Sequence, residues 1–445
     1  MPRAISWKKG LSSILFWSII SAAFIGPGTV TTAARSGAEY GLDLLWALFF
    51  STLATILLQE AAARLTVASG KNLGEVVALK YPGSGGRKVQ WLLFLTVAFG
   101  CAAYQAGNLL GAVAGMQLLS DIPSWIFLLG IGLLAALLLW IGKVQQIAKL
   151  LGVIVALMGA AFIYVALLSD HSFPEIAGAA LSPTFPAGST LLLTGLIGTT
   201  IVPYNLFLAS GIGRHQDIRE MRLGIILAVL IGGVISMAIL IVGAQMKGVF
   251  SFAGLATALS EKTGPWAARL FSFGLLVAGF TSAVTAPLAA AVTAGSLLDR
   301  DRGNWAPDSR NFRLVWATVL GIGLFFGLTK VQPIPAIILA QAINGALLPI
   351  VAVFLFLAVN DRQLLGSTYT NGLPANIGML FIVGLTSYLG LHHLLAAWSK
   401  AVPALAISSG ATLWVKFAGT ALILAWLGGK VLSGRPTRGD RRDGR

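Results

Sequence analysis

Runs of apolar residues, each broken by only a few polar positions, recur twelve times along the chain, near residues 11–34, 43–68, 88–118, 123–142, 146–168, 188–213, 221–247, 265–298, 313–330, 335–359, 372–396 and 410–433. About 20 apolar residues in a helix cross the hydrocarbon of a bilayer. The pattern therefore predicts an all-α polytopic membrane protein of eleven or twelve transmembrane helices, the ninth run being short enough for a half-span. The first run continues into "GPGTVTTAARSG" with no small-residue cleavage site before a polar segment, so a retained helix is expected rather than a cleaved signal peptide.

Two runs carry a breaker in mid-span. The first contains Gly26, Pro27 and Gly28 within "FIGPGTVTTAA", and the sixth contains Val202, Pro203 and Tyr204 within "IGTTIVPYNLFLAS". Proline inside a helix removes one hydrogen bond and clashes with the preceding turn. In a bilayer the freed backbone groups must face protein or a water-filled cavity. Runs one and six are corresponding positions if spans one to five and six to ten form two halves, and paired interruptions of this kind mark the midplane site of an inverted-repeat transporter. The expected organisation is one transmembrane transporter domain over 1–445, with repeat one at about 11–168, repeat two at about 188–359, extra helices at about 372–433 and a basic tail at 434–445.

Composition agrees with the spans: 56% of the 445 residues are hydrophobic and 11% charged, against about a quarter charged in soluble domains. The 31 Lys and Arg against 16 Asp and Glu give a net charge of +15. With the N-terminus in the cytoplasm, Lys8, Lys9, Lys71, Lys80, Arg87, Lys88, Lys143, Lys149, Arg214, Arg219, Arg222, Arg300, Arg302, Arg310, Arg313 and the tail "SGRPTRGDRRDGR" all fall on the inner side. The outer segment "SDHSFPEIAGAALSPTFPAGS" has no Lys or Arg. This is the positive-inside pattern, so the basic excess reports topology and lipid contact in an inner, plasma membrane, and no nucleic-acid partner is expected. The single cysteine, Cys101, allows no internal disulfide.

The segments "GPGTVTTAARSGAEYGLDLLWALFFSTLATILLQEAAARLTVASGKNLGEVV", "LTGLIGTTIVPYNLFLASG", "GFTSAVTAPLAAAVTAG" and "QPIPAIILAQAINGALLPIVAVFLFLAVNDRQLLG", in this order, resemble the Nramp family of divalent-metal transporters over most of the chain. The resemblance implies a leucine-transporter-like fold of two inverted five-helix repeats with helices 1 and 6 broken. It also shows departures. Where the family carries Asp-Pro-Gly-Asn, this chain reads Gly26, Pro27, Gly28, Thr29; where the family carries Met-Pro-His, it reads Val202, Pro203, Tyr204. An Asp and a Glu of the family's third helix match Gln105 and Asn108, a histidine after the sixth matches Ala209, and a glutamine of the tenth matches Leu347, with Gln341 and Asn344 close by.

Sorting the acidic residues places only Glu60 well inside a span, and His171, His215, His392 and His393 fall outside span centres. A dehydrated divalent cation in an apolar medium needs compensating charge, and no His–carboxylate cluster is evident. The candidate substrate site is therefore built from unwound backbone, half-helix ends and hydroxyls: Gly26, Pro27, Gly28, Thr29, Thr200, Val202, Tyr204 and Asn205, with Thr31, Thr32 and Thr199 beside them and free carbonyls at 23–25 and 200–202. Any one of these threonines has the alternative of bonding its own helix backbone. By analogy with transporters of the general fold, Thr281 and Ser282 are candidates for a sodium or second-ion site. Gln105, Asn108, Asn344 and Glu60 are candidates for a polar pathway, although Glu60 lies four residues before Arg64 and so also fits a local ion pair, as do Arg35 and Glu39.

The functional expectation is a monomeric secondary transporter, not an enzyme and without cofactor, working by alternating access and uncoupled from protons. Its expected substrate is a small polar or anionic solute rather than Mn²⁺ or Fe²⁺. The alternative is a divalent cation, either Mg²⁺-like and partly hydrated or Mn²⁺.

Overall fold

The computed structural model describes residues 25–142, 144–212, 217–246, 248–299, 304–329, 331–401 and 408–433. The first half of span one, with Lys8, Lys9 and the carbonyls of Ala23 and Phe24, lies outside the described residues, as do Lys143, Arg214, His215, Arg300, Arg302 and the tail 434–445.

The described chain is helical, in the order α1 Pro27–Tyr40, α2 Leu45–Ser69, α3 Leu73–Lys80, α4 Gly83–Gln117, α5 Ser124–Ile141, α6 Val144–Leu167, α7 Phe173–Leu181, α8 Thr190–Thr200, α9 Pro203–Ile212, α10 Ile218–Ala244, α11 Phe252–Thr263, α12 Pro265–Leu298, α13 Arg310–Leu328, α14 Pro333–Val359, α15 Arg362–Tyr369, α16 Leu373–Ala401 and α17 Ser409–Ser433. Ten spans among the described residues are long and apolar enough to cross a membrane, with α8 and α9 together making one of them. The 24-residue α6 is an eleventh helix of crossing length, and α1 is the second half of the first run. The protein is a multi-pass integral membrane protein. The ninth run, taken from sequence as a possible half-span, forms the 19-residue α13, about 28 Å long and sufficient to cross.

The helices around the breaks approach closely because their contact residues are small, as expected where lipid supplies no hydrophobic drive between helices. Gly37 of α1 lies against the Leu240 carbonyl of α10, and Gly243 of α10 against Ala34. Gly111 of α4 leaves the space that the Pro27 ring occupies, so the first breaker is seated by a glycine on another helix. At the other extreme, only 6% of the apolar window of α17 is buried. This helix packs on α16 and presents Trp414, Phe417, Leu422 and Trp426 outward to lipid.

Four short helices, α3, α7, α11 and α15, are too short to cross. The segment 169–189, taken from sequence as a loop, contains the nine-residue α7 because Ser172 caps it through the Glu175 amide and Pro174 stands in its first turn. The strand of chain after it is pinned over the α1–α2 corner, where Trp46 Nε1 donates to the Thr184 carbonyl at 2.9 Å and Thr184 Oγ1 donates to the Asp43 carbonyl at 2.6 Å.

Candidate functional site

Span six breaks between α8 and α9, leaving Ile201 and Val202 non-helical ahead of Pro203, which has no amide hydrogen to offer. The carbonyls released there are largely satisfied by protein. Tyr104 of α4 donates its hydroxyl to the Gly198 carbonyl. Thr55 Oγ1 of α2 donates to the Thr200 carbonyl at 3.2 Å, and the Asn205 amide donates to the Val202 carbonyl at 3.0 Å. The expectation of free carbonyls over 200–202 is corrected at Val202, while the Thr200 carbonyl shares the single Thr55 hydroxyl hydrogen with the nearer Ser51 carbonyl at 2.7 Å.

At the first break Gly26 is extended and Pro27 opens α1, with the Val30 amide donating to the Gly26 carbonyl at 3.1 Å. Gly26 and Gly28 matter for what stands against them. The Ser282 hydroxyl lies 2.9 Å from where a Cβ on Gly26 would be, and the Gln341 amide fills the place of a Cβ on Gly28. Across the two breaks Thr29 Oγ1 and Thr199 Oγ1 share a hydrogen bond of 2.8 Å.

A cavity of about 20 Å³ lies between the breaks, room for about one water-sized body. Of the residues nominated from sequence, Gly26, Gly28, Thr29, Val202, Tyr204, Ser282 and Asn108 line it. Thr199, named from sequence beside the site, and Gln341, noted near the tenth-helix position, line it as well, as does Tyr104. Tyr104 was overlooked altogether, although it stands one helical turn before Asn108 and so shares its face. Its ring meets that of Tyr204 edge to face at 5.9 Å.

Other candidates are turned elsewhere. Pro27 packs on Gly111. Thr200 Oγ1 returns to the Leu196 carbonyl of its own helix at 2.9 Å, and Thr281 Oγ1 to Val277 and Ala278 at 3.0 Å each. Both follow the usual habit of hydroxyls inside helices, so the Thr281–Ser282 pair is split and only Ser282 faces the cavity. Asn205 is fully buried, neither of its side-chain polar atoms has a partner among the described residues, and it does not line the cavity.

Three pathway candidates are bonded elsewhere and do not line the cavity. Gln105 Nε2 donates at 2.9 Å to the Ala283 carbonyl, four residues before Pro287 inside α12, which is the acceptor a proline leaves without its helical donor. Asn344 Nδ2 donates to the Gly100 carbonyl at 3.0 Å and the Ala340 carbonyl at 3.1 Å. Glu60 lies away from the cavity, bonded to both Arg64 and Arg222. Arg35 and Glu39 form the expected ion pair at 2.5 Å, partly open to solvent.

Among the described residues, none that lines the cavity is charged, and no three His, Cys, Asp or Glu side chains group to hold a metal. His393 reaches Thr194 of α8 at 2.8 Å rather than the cavity. The site offers aliphatic and phenolic hydroxyls, two side-chain amides and backbone, all hard donors of the kind that suit a cation retaining water. The Gln341 Oε1 atom is buried with no partner among the described residues.

Among the described residues, a span broken at Val202–Pro203 meets the Gly26–Pro27 start of α1 at a small polar cavity within a bundle of apolar spans, the arrangement of an inverted-repeat membrane transporter. The model of the family described as natural resistance-associated macrophage protein-like (Nramp) matches residues 18–396. The chain belongs to this family of transporters. It is 28% identical over 394 residues to the divalent metal cation transporter MntH of Deinococcus radiodurans, covering 83% of this chain and 87% of that protein. It is 25% identical over 398 residues to the metal transporter Nramp3 of Oryza sativa subsp. japonica, covering 83% and 71%. Among solved structures, the manganese transporter of Eremococcus coleocola superposes with a TM-score of 0.72 at 20% identity over 98% of this chain and 96% of that one. MHP1, a nucleobase-cation-symport-1 family transporter, superposes at 0.59 with 15% identity over 97% and 95%. The fold is thus the leucine-transporter-like one expected. The Deinococcus, Oryza and Eremococcus proteins are named as metal transporters, whereas the sequence of this chain led to the expectation of a small polar or anionic solute, with a divalent cation as the alternative.

Proposed function

We propose that the protein carries a divalent cation, Mg²⁺-like and partly hydrated, or Mn²⁺, by alternating access at the cavity between the two breaks. The supporting observation is a cavity lined by uncharged oxygen donors in a chain whose family relatives are named as divalent metal transporters. A bare dication in so uncharged a place would be costly, whereas Mg²⁺ sheds water reluctantly and binds through it. At about 20 Å³ the cavity has to widen to admit an ion with its waters, and separation of the half-helices at the Thr29–Thr199 bond is the opening this requires.

Transport proceeds without stoichiometric proton flux, because Gln105 and Asn108 hold no exchangeable acid proton and Gln105 is committed to Ala283. The chain acts as a single monomeric transport domain in the plasma membrane, with the N-terminus and the basic tail on the cytoplasmic side, as the positive-inside pattern argues.

A second reading, a small polar or anionic solute, is favoured by the lack of any charged side chain around the cavity. Counterflow in proteoliposomes against Mg²⁺, Mn²⁺, amino acids and small anions separates the two. Saturable exchange of a divalent cation, reduced about tenfold by Thr29→Val as expected for one lost hydrogen-bonding group, supports the proposal. Exchange of a neutral or anionic solute with none of the cations refutes it.

A further inference from the structure

A second hollow, of about 420 Å³, lies away from the breaks, between α2, α10 and the segment 368–372 that leads into α16. Its floor is polar. Glu60 accepts from Arg64 Nε at 3.0 and 3.1 Å and from Arg222 Nε at 2.8 Å. Every nitrogen of Arg64 has a partner, since its two amino groups also donate to the Tyr369 carbonyl and, at 2.6 Å, to Asn371 Oδ1. Arg222 differs. Its side chain is 48% exposed, and among the described residues only its Nε has a partner. Two guanidinium groups against one carboxylate leave the floor with a net positive charge.

The wall above that floor is apolar, formed by Leu53, Ile56, Leu57 and Ile226. Leu53 stands two turns before Glu60 on α2, about 10 Å further along the helix toward the bilayer centre, and is itself exposed. Arg222 lies in the second turn of α10, which begins at Ile218, and Arg64 lies near the end of α2 at Ser69. The cationic floor therefore sits at the membrane interface, and the apolar trough runs from it into the hydrocarbon.

We propose that this hollow binds a phospholipid with an anionic headgroup. The phosphate accepts from the two terminal amino groups of Arg222, the planar fork that matches phosphate oxygens, and an acyl chain lies along Leu57 and Leu53. A free inorganic anion would leave the trough unfilled, and a zwitterionic headgroup would bring no net charge to the floor. Basic pockets between transmembrane helices take anionic headgroups on the same physical grounds. None of these residues lines the transport cavity, so the lipid site is separable from substrate binding.

Full-length protein in detergent, titrated with phosphatidylglycerol, phosphatidylcholine or inorganic phosphate and followed by native mass spectrometry, tests this. One phosphatidylglycerol should be retained where phosphatidylcholine is stripped. Arg222→Gln should weaken its retention about fivefold, the worth of one basic residue at an anionic surface. Leu53→Trp, which plugs the trough without touching a charge, should weaken it as well, and a monodisperse elution profile shows that each variant is folded. Equal retention of the two lipids, unchanged binding by both folded variants, or displacement of the lipid by millimolar inorganic phosphate would overturn the proposal.

Discussion

Tyr104 closes the sixth-span break with its hydroxyl on the Gly198 carbonyl and its ring edge-on to Tyr204. Removing only the oxygen leaves a buried carbonyl unpaired, which costs about 1–3 kcal/mol. Tyr104→Phe is therefore expected to lower the melting temperature measurably in detergent while keeping the ring contact; an unchanged melting curve would show that the carbonyl finds another donor. Gly28 is the second sensitive position. Because the Gln341 amide occupies the place of its Cβ, Gly28→Ala displaces that amide from the cavity wall and is expected to lower substrate affinity more than stability, read as a raised KM in the uptake assay. At this scale the proline breakers made Thr29, Val202 and Tyr204 legible, since a breaker in an apolar run points to the residues beside it. Tyr104 gave no such sign, because an aromatic residue in a span is ordinary. The direction of a hydroxyl is not written in sequence either, which is why Thr281 was paired with Ser282 but turns into its own helix.

The breaks and the proline in α12 show how elements compensate one another. Pro287 removes the donor owed to Ala283, and Gln105, on a neighbouring helix, supplies one. Gln105→Leu is expected to cost about 1–3 kcal/mol. In the background of Pro287→Ala, which restores the amide hydrogen, the same change should cost much less. Melting temperatures of the two single variants and the double variant form the cycle, and additive losses would show that Gln105 serves something other than that carbonyl. The apolar runs predicted nearly every crossing helix because length and hydropathy alone decide which segments span. The nine-residue α7 was missed because its stability comes from Ser172, Pro174 and Glu175 rather than from any periodic apolar face.

On the whole molecule, the charges that sequence sorted into loops also tie those loops together. Lys80 at the end of α3 pairs with Asp361 ahead of α15 at 2.9 Å. Partial burial pushes the Asp361 carboxyl up, but the Lys80 hydrogen bond and charge, with the amides of Leu364 and Gln363, outweigh it and hold the carboxyl below its usual value. A folded value lower than the unfolded one means that the pair's contribution is present at neutral pH and lost as the pH falls through the folded value. Melting temperature measured from neutral pH down to about 3, below the ordinary aspartate value, should fall less steeply in Lys80→Met than in the unaltered protein; parallel curves would remove the pair from the acid response.

The fold was legible almost entirely, because bilayer physics restricts spanning backbone to helices and the breakers announce themselves. The site was legible in place but not in detail, since what faces the cavity depends on helix rotation and on braces such as Asn344 that look the same as ligands in a sequence. The account's central claim is that a cavity of uncharged oxygen donors moves a divalent cation without protons. Proteoliposomes holding both a divalent-sensitive and a pH-sensitive dye, given an inward Mg²⁺ or Mn²⁺ gradient, test it most directly. The account predicts saturable cation entry with internal pH unchanged beyond the leak of empty liposomes; interior acidification in step with uptake, or no cation entry at all, would contradict it.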